Sequence, residues 1–337
     1  MKKRSRFITL LKTIFLSVIT LGIYPLFGNM LFKRLLSREA ADGGYASQPT
    51  EDYVSGTPSN PKHKAIFESP LFPIIQTNAT WYTQQQLKKV STVSSRGVNI
   101  HADMVINETP SDRWVICLHG YTARPWVLSS VAKLYYQWGF NILFHYLSGH
   151  GDNEDKFISM GWLDRLDVVS WIEYLNEKHH NPKITLHGVS MGGATVMMTT
   201  GEELPSNVKC AVEDCGYSSV FEQFSVSLGG RFKNKFIARF AVHALDSITH
   251  LRLGFSIRDA SCVEQVKKSK TPTLFMHGEN DKAVLLWMHG KVYDACPCEK
   301  EMLIGPDAGH GDTIYLHPEL YNKTLRGFLE KHVGQLP

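Results

Sequence analysis

The chain has 337 residues, 43% hydrophobic and 20% charged, an ordinary globular balance that excludes wholesale disorder and a many-span membrane protein. Its net charge of +4 hides an asymmetry: residues 1–38 carry eight basic side chains and no acidic one, leaving 28 basic against 32 acidic residues in the remainder. A mildly acidic body argues against a nucleic-acid partner. Six cysteines in a chain of this length are too few for a small disulfide scaffold, and Cys117, Cys210 and Cys215 read as buried free thiols. Cys296 and Cys298 flank one proline with no companion histidines at zinc-ligand spacing, so no metal is assigned.

In chain order, the first element is an uncharged, largely apolar run over residues 13–32, with basic residues on both sides. Its length matches the roughly 20 residues a helix needs to cross a bilayer, and Pro25 is compatible with a kinked span. Residues 1–38 are therefore expected to be a membrane anchor through 7–32, holding an extracytoplasmic domain. A cleaved signal peptide, which would leave a secreted protein, and a surface-lying helix are the alternatives. Residues 39–63, rich in Gly, Ser, Thr, Pro and Asp, read as a flexible tether. Asn78-Ala79-Thr80 is a glycosylation triplet of a kind that arises often by chance.

The body, residues 64–337, alternates short β-rich runs with longer helical ones from about residue 90, the pattern of a mostly parallel sheet with helices on both faces. A hairpin over 90–107 turns at Ser95-Arg96-Gly97. Strands are expected at 114–118, 140–146, 184–187, 208–215, 271–277 and 301–304, and helices at 127–138, 162–178, 191–204, 284–295 and 315–332. Between 217 and 270 the rhythm breaks, and a segment with Phe221, Phe224, Phe232, Phe236, Phe240 and Phe255 reads as a helical cap. Phe221 and Phe224 are expected either to pack the cap onto the sheet or to line an apolar substrate pocket.

Gly188-Val189-Ser190-Met191-Gly192 follows a strand and opens a helix, the context of a serine on a sharp turn whose hydroxyl projects from the sheet edge. Such a hydroxyl is a weak nucleophile and needs a base and an orienting acid, in the chain order serine, acid, histidine. Asp281 follows the strand at 271–277 and His310, between two glycines, follows the last strand, so they are the expected acid and base. Glu279 and Asp214 are alternative acids. Met191 N–H, at the helix N-terminus, and Tyr121 N–H are the expected oxyanion donors, with Thr122 second to Tyr121. His119 reads as a loop brace.

His119-Gly120, Gly149-His150-Gly151-Asp152, the serine turn, His277-Gly278 with Asp281, and Gly309-His310 occur together in this order. From about residue 90 to its end the chain resembles the α/β-hydrolase superfamily, α/β in class with a cap insertion. It is similar to bacterial membrane-anchored or exported cap-bearing serine hydrolases of the serine aminopeptidase and prolyl-oligopeptidase-like group. The resemblance implies hydrolysis of an ester, thioester or amide in a small-molecule or peptide substrate, with no cofactor. A serine peptidase on the same site is the second reading, and a membrane-tethered binding protein with a vestigial site is the reading from another class.

Overall fold

The apolar runs of the body become an eight-stranded sheet in the computed structural model, which describes residues 2–20, 22–43, 50–61, 64–232 and 234–337. The strands are β1 (Lys88–Val93), β2 (Asn99–Val105), β3 (Arg113–Leu118), β4 (Asn141–His145), β5 (Lys183–Val189), β6 (Val208–Asp214), β7 (Thr273–Gly278) and β8 (Lys300–Gly305). Their spatial order is β1-β2-β4-β3-β5-β6-β7-β8. The β1–β2 hairpin is antiparallel, β2 is antiparallel to β4, and the other pairs are parallel. Period-two alternation divides β3 between two cores: Trp114, Ile116 and Leu118 face one layer, Val115 and Cys117 the other. Both layers are covered, which is why the central strands read as continuous apolar runs.

Six helices precede the sheet: α1 (Lys2–Ile19), α2 (Ile23–Leu36), α3 (Arg38–Asp42), α4 (Thr50–Ser55), α5 (Lys64–Phe67) and α6 (Phe72–Thr83). Those that follow are α7 (Ser129–Gln137), α8 (Asp164–Lys178), α9 (Met191–Thr200), α10 (Val220–Arg231), α11 (Lys235–Leu253), α12 (Cys262–Val266), α13 (Leu286–Ala295), α14 (Thr313–Leu316) and α15 (Pro318–Val333). The segment 217–270 is mainly helical, forming α10, α11 and α12. Residues of α2, α8, α9, α10 and α11 share one core, and those of α4, α6, α7 and α15 share the other.

The N-terminal expectations need correction. The apolar run does not form one helix: Gly22, at φ +81°, breaks it, and α1 and α2 meet at 119°. A left-handed glycine ends a helix cheaply because it carries no Cβ. No single helix among the described residues is long and apolar enough to cross a membrane. Instead α2 buries Tyr24, Gly28, Leu31, Phe32 and Leu36. A Cβ on Gly28 would sit 2.9 Å from the carbonyl carbon of Ala244 and from Ile248 Cγ1, so the glycine lets α2 close on α11. Tyr24 Oη donates to the His243 carbonyl at 2.8 Å. Within residues 39–63, expected to be a tether, the described part holds α4 and most of α3. Tyr53 of α4 is buried, tilted against Trp126 and stacked on Phe67, with ring centroids 4.3 and 5.1 Å away. Residues 44–49 and 62–63 of that stretch lie outside the described residues.

Candidate active site

Strand β5 delivers Ser190 into a turn with φ 59° and ψ −118°, a conformation that costs a non-glycine residue on the order of 1–3 kcal/mol and persists only where the surroundings impose it. The Ser190 amide donates to the Asp214 carbonyl at 2.8 Å, and the Ser190 carbonyl accepts from Ala194 N–H at 3.0 Å. A Cβ on Gly188 would overlap the Gly192 carbonyl, and one on Gly192 would overlap that of Leu118. The glycine spacing is therefore a steric requirement of the turn.

Three loops at the carboxyl ends of β5, β7 and β8 bring Ser190, Asp281 and His310 together, where ligand sites of open α/β sheets lie. Ser190 Oγ is 2.8 Å from His310 Nε2, and His310 Nδ1 is 2.6 Å from Asp281 Oδ2. The other Asp281 oxygen accepts from the amides of Ala283 and Val284 at 2.8 and 2.9 Å. Burial pushes the Asp281 carboxyl up, but the hydrogen bond and charge of His310, with those two amides, outweigh it and hold it below the usual carboxylate range. An ionised Asp281 keeps the His310 proton on Nδ1 and leaves Nε2 free to accept from the serine hydroxyl.

Neither alternative acid reaches the imidazole in this way. Asp214 lines the cavity floor and accepts from Tyr321 Oη at 3.1 Å. Burial, and then Glu213, raises its pKa to about 6. Glu279 turns away to accept from the Asp307 amide at 3.1 Å.

Met191 opens α9, so its amide is among the helix-terminal N–H groups without an intrahelical acceptor. Opposite it, a Cβ on Gly120 would lie 3.4 Å from Ser190 Cβ, which puts the 119–121 loop directly against the serine. Thr122 N–H, the second oxyanion candidate, is already taken: it donates to His150 Nε2 at 3.1 Å. Because Leu147 N–H donates to His119 Nε2 at 3.1 Å, His119 must hold its proton on Nδ1, which donates to the Gly120 carbonyl at 2.8 Å. Burial pushes the His119 pKa well down, consistent with this neutral, bracing form. The Tyr121 hydroxyl, pushed up to about 12 by burial, donates to the Leu35 carbonyl of α2 at 2.7 Å. The N-terminal helix thus holds the loop that faces the serine.

A cavity of about 260 Å³ opens beside Ser190 and His310. Tyr53, Leu71, Ile75, Asn78, Trp126 and Ile314 are among the residues that line it. Asn78 faces this cavity from α6 and is buried, which corrects any reading of its triplet as a surface glycan site. Phe221 and Phe224 do not line the cavity. Phe224 is buried in the core shared with α11, and Phe221 lies under the Arg258 guanidinium, 3.6 Å from its ring centroid. The reason is topological: α10 and α11 cross the face where α2 packs, whereas the cavity opens toward α4 and α6 on the other core. Tyr53 escaped the sequence reading because it lies in the polar stretch read as a tether, and Ile75 and Asn78 because they precede the first strand–helix alternation.

Two groups of metal-capable side chains occur among the described residues, Cys215 with Asp281 and His310, and His145 with Asp164 and Asp167. In the second, Asp164 accepts from Ser148 and Gly161 N–H and Asp167 from Arg96, so these oxygens are spent on the protein. In the first, His310 and Asp281 are spent on each other and on Ser190.

A mostly parallel sheet with this serine turn and these loop positions defines a hydrolase of the α/β-hydrolase fold. Residues 126–335 match the prolyl oligopeptidase family, and the chain belongs to that family. Its sequence is 25% identical over 251 residues to YqkD of Bacillus subtilis, covering 73% of this chain and 81% of that one. The fold is similar to the Pyrococcus furiosus esterase Pf2001, with 21% identity and a TM-score of 0.60 over 75% of this chain and 94% of that one. It is also similar to the acylaminoacyl peptidase of Pyrococcus horikoshii, with 18% identity and a TM-score of 0.52, but covers only 43% of that chain.

Proposed function

We propose that the protein hydrolyses carboxylic esters through an acyl-enzyme on Ser190. His310 Nε2 takes the hydroxyl proton as Ser190 Oγ attacks the carbonyl carbon, then delivers it to the departing alcohol. Asp281 stabilises the imidazolium. The amides of Met191 and Tyr121 receive the oxyanion, and water deacylates the serine by the reverse sequence with His310 as base. The observation that carries this reading is the unbroken run Ser190–His310–Asp281, at 2.8 and 2.6 Å. The cavity beside it, walled by Leu71, Ile75 and Trp126, favours an apolar acyl or alcohol group.

Family membership supports amide substrates as the second reading, since the matched family is one of peptidases. The test is a panel of p-nitrophenyl esters of graded chain length and aminoacyl anilides, run beside labelling by a fluorophosphonate. Ester turnover and labelling are expected, both lost in a folded Ser190→Ala variant. Undiminished turnover in that variant would sink the nucleophile assignment, and faster anilide than ester hydrolysis would favour the peptidase.

A further inference from the structure

Helix α1 is built inside out. Among its described side chains Thr13 is the buried one and Ser17 is half-buried, and the hydroxyls of Thr13, Ser17 and, just past its end, Thr20 donate to carbonyls one turn back at 2.9, 2.6 and 2.7 Å. Its large apolar residues point the other way: Phe7, Leu11, Ile14, Phe15 (64% exposed) and Val18 (73% exposed). A helix at a water-facing surface has the reverse pattern.

Helix α2 is apolar on both faces. Leu31 and Phe32 turn into the core, while Ile23, Leu26 and Met30, spaced along one helical stripe, turn out. The first turn of α11, on which both helices pack, adds Phe236 (85% exposed) and Ile237. Twelve of the nineteen large hydrophobic residues exposed among the described residues lie on these three elements. That concentration marks an interaction surface rather than the scattered exposure normal for a soluble protein.

Charge selects the partner. Arg6, Lys12, Lys33, Arg34, Lys235 and Arg239 are exposed on the same elements, and residues 1–38 contain no acidic side chain. A second copy of the chain would bring like charges together. An anionic lipid surface neutralises them while solvating the apolar side chains. Neither helix alone is long and apolar enough to cross a bilayer, and the 119° bend between them breaks the line of a continuous span, so the geometry favours lying in the interface.

We propose that the outer faces of α1 and α2, with the first turn of α11, form an in-plane docking surface for an anionic lipid bilayer. The inner face of α2 remains in the protein core, so the body is held directly against the membrane.

The full chain is tested by flotation with vesicles of phosphatidylcholine, with and without about 30 mol% phosphatidylglycerol. Binding to the anionic vesicles is expected, weakening in high salt. The Leu11→Glu/Phe15→Glu variant should lower the bound fraction at least about tenfold, since burying either side chain is worth more than the 1.4 kcal/mol that tenfold requires. Its thermal midpoint should match the wild type, because both side chains are exposed. If that variant misfolds, Lys33→Gln/Arg34→Gln, at two exposed positions of α2, keeps the apolar face and should still lose the preference for anionic lipid. Absence of wild-type flotation, equal flotation of wild type and a folded glutamate variant, or equal binding to both vesicle types would each overturn the proposal. So would a lipid-free dimer that the glutamate variant abolishes, which would identify a second copy as the occupant.

Discussion

Replacing Phe32 by Ala separates an N-terminal leader from an N-terminal core element. Phe32 is fully buried, its ring centroid 5.1 Å from that of Phe157 and 5.0 Å from the Arg252 guanidinium carbon. Truncating a fully buried phenylalanine costs about 3–5 kcal/mol, the transfer energy of the ring plus the cavity it leaves. With an unfolding entropy of roughly 2.1 cal/mol/K per residue, a chain of this length should lose about 4–7 °C in thermal midpoint. Leu26→Ala on the same helix is the internal control. Leu26 is 71% exposed, so its truncation should change stability by no more than about 0.5 kcal/mol. The assay is thermal unfolding followed by near-UV circular dichroism, which reports tertiary packing. If Phe32→Ala and Leu26→Ala leave the midpoint equally unchanged, α2 is not part of the core and the anchor-and-tether organisation stands.

Asp281→Asn should lower kcat by about a thousand- to ten-thousandfold, as the imidazole loses the partner that sets its tautomer, while Asp214→Asn should cost less than about tenfold. A larger loss for Asp214→Asn in ester kinetics would transfer the acid role to Asp214. Asp214 also makes a pH prediction. Its folded pKa, raised to about 6, lies above the unfolded value near 3.9, so the folded state binds the extra proton and stability falls as pH rises between the two. Asp214→Asn should therefore be more stable than wild type by roughly 2–3 kcal/mol above pH 6, with the gap closing near pH 4 in urea titrations. A gap that widens on acidification would contradict the sign. For the cavity, Ile75→Trp should move the preferred ester toward shorter chains, whereas Phe221→Ala should leave the chain-length profile of kcat/KM unaltered. The opposite pattern would return the substrate pocket to the cap.

The serine turn was legible in the sequence because its constraint is local. Gly188 and Gly192 are required by backbone contacts within a few residues and one neighbouring strand. Asp281 and His310 were legible because strand ends can be counted and loops at the carboxyl edge of a parallel sheet converge. The helical nature of 217–270 was legible for the same reason, as a break in the strand–helix alternation.

Other features depended on distant partners. An apolar stretch carries the same residue pattern whether it faces lipid or another helix, and only the approach of Gly28 to Ala244, 216 positions further on, puts α2 in the core. The break at Gly22 then leaves α1 with its apolar side outward. Likewise, nothing in the composition of residues 50–61 distinguishes a tether from a cavity wall. Packing of Tyr53 against Trp126, and the side of the sheet that α10 and α11 take, decide that Tyr53, Ile75 and Asn78 line the cavity and Phe221 and Phe224 do not. Local sterics and chain order were enough to place Ser190, Asp281 and His310 at one edge of the sheet, while the cavity walls and the packing of α2 depended on which apolar surfaces met in three dimensions.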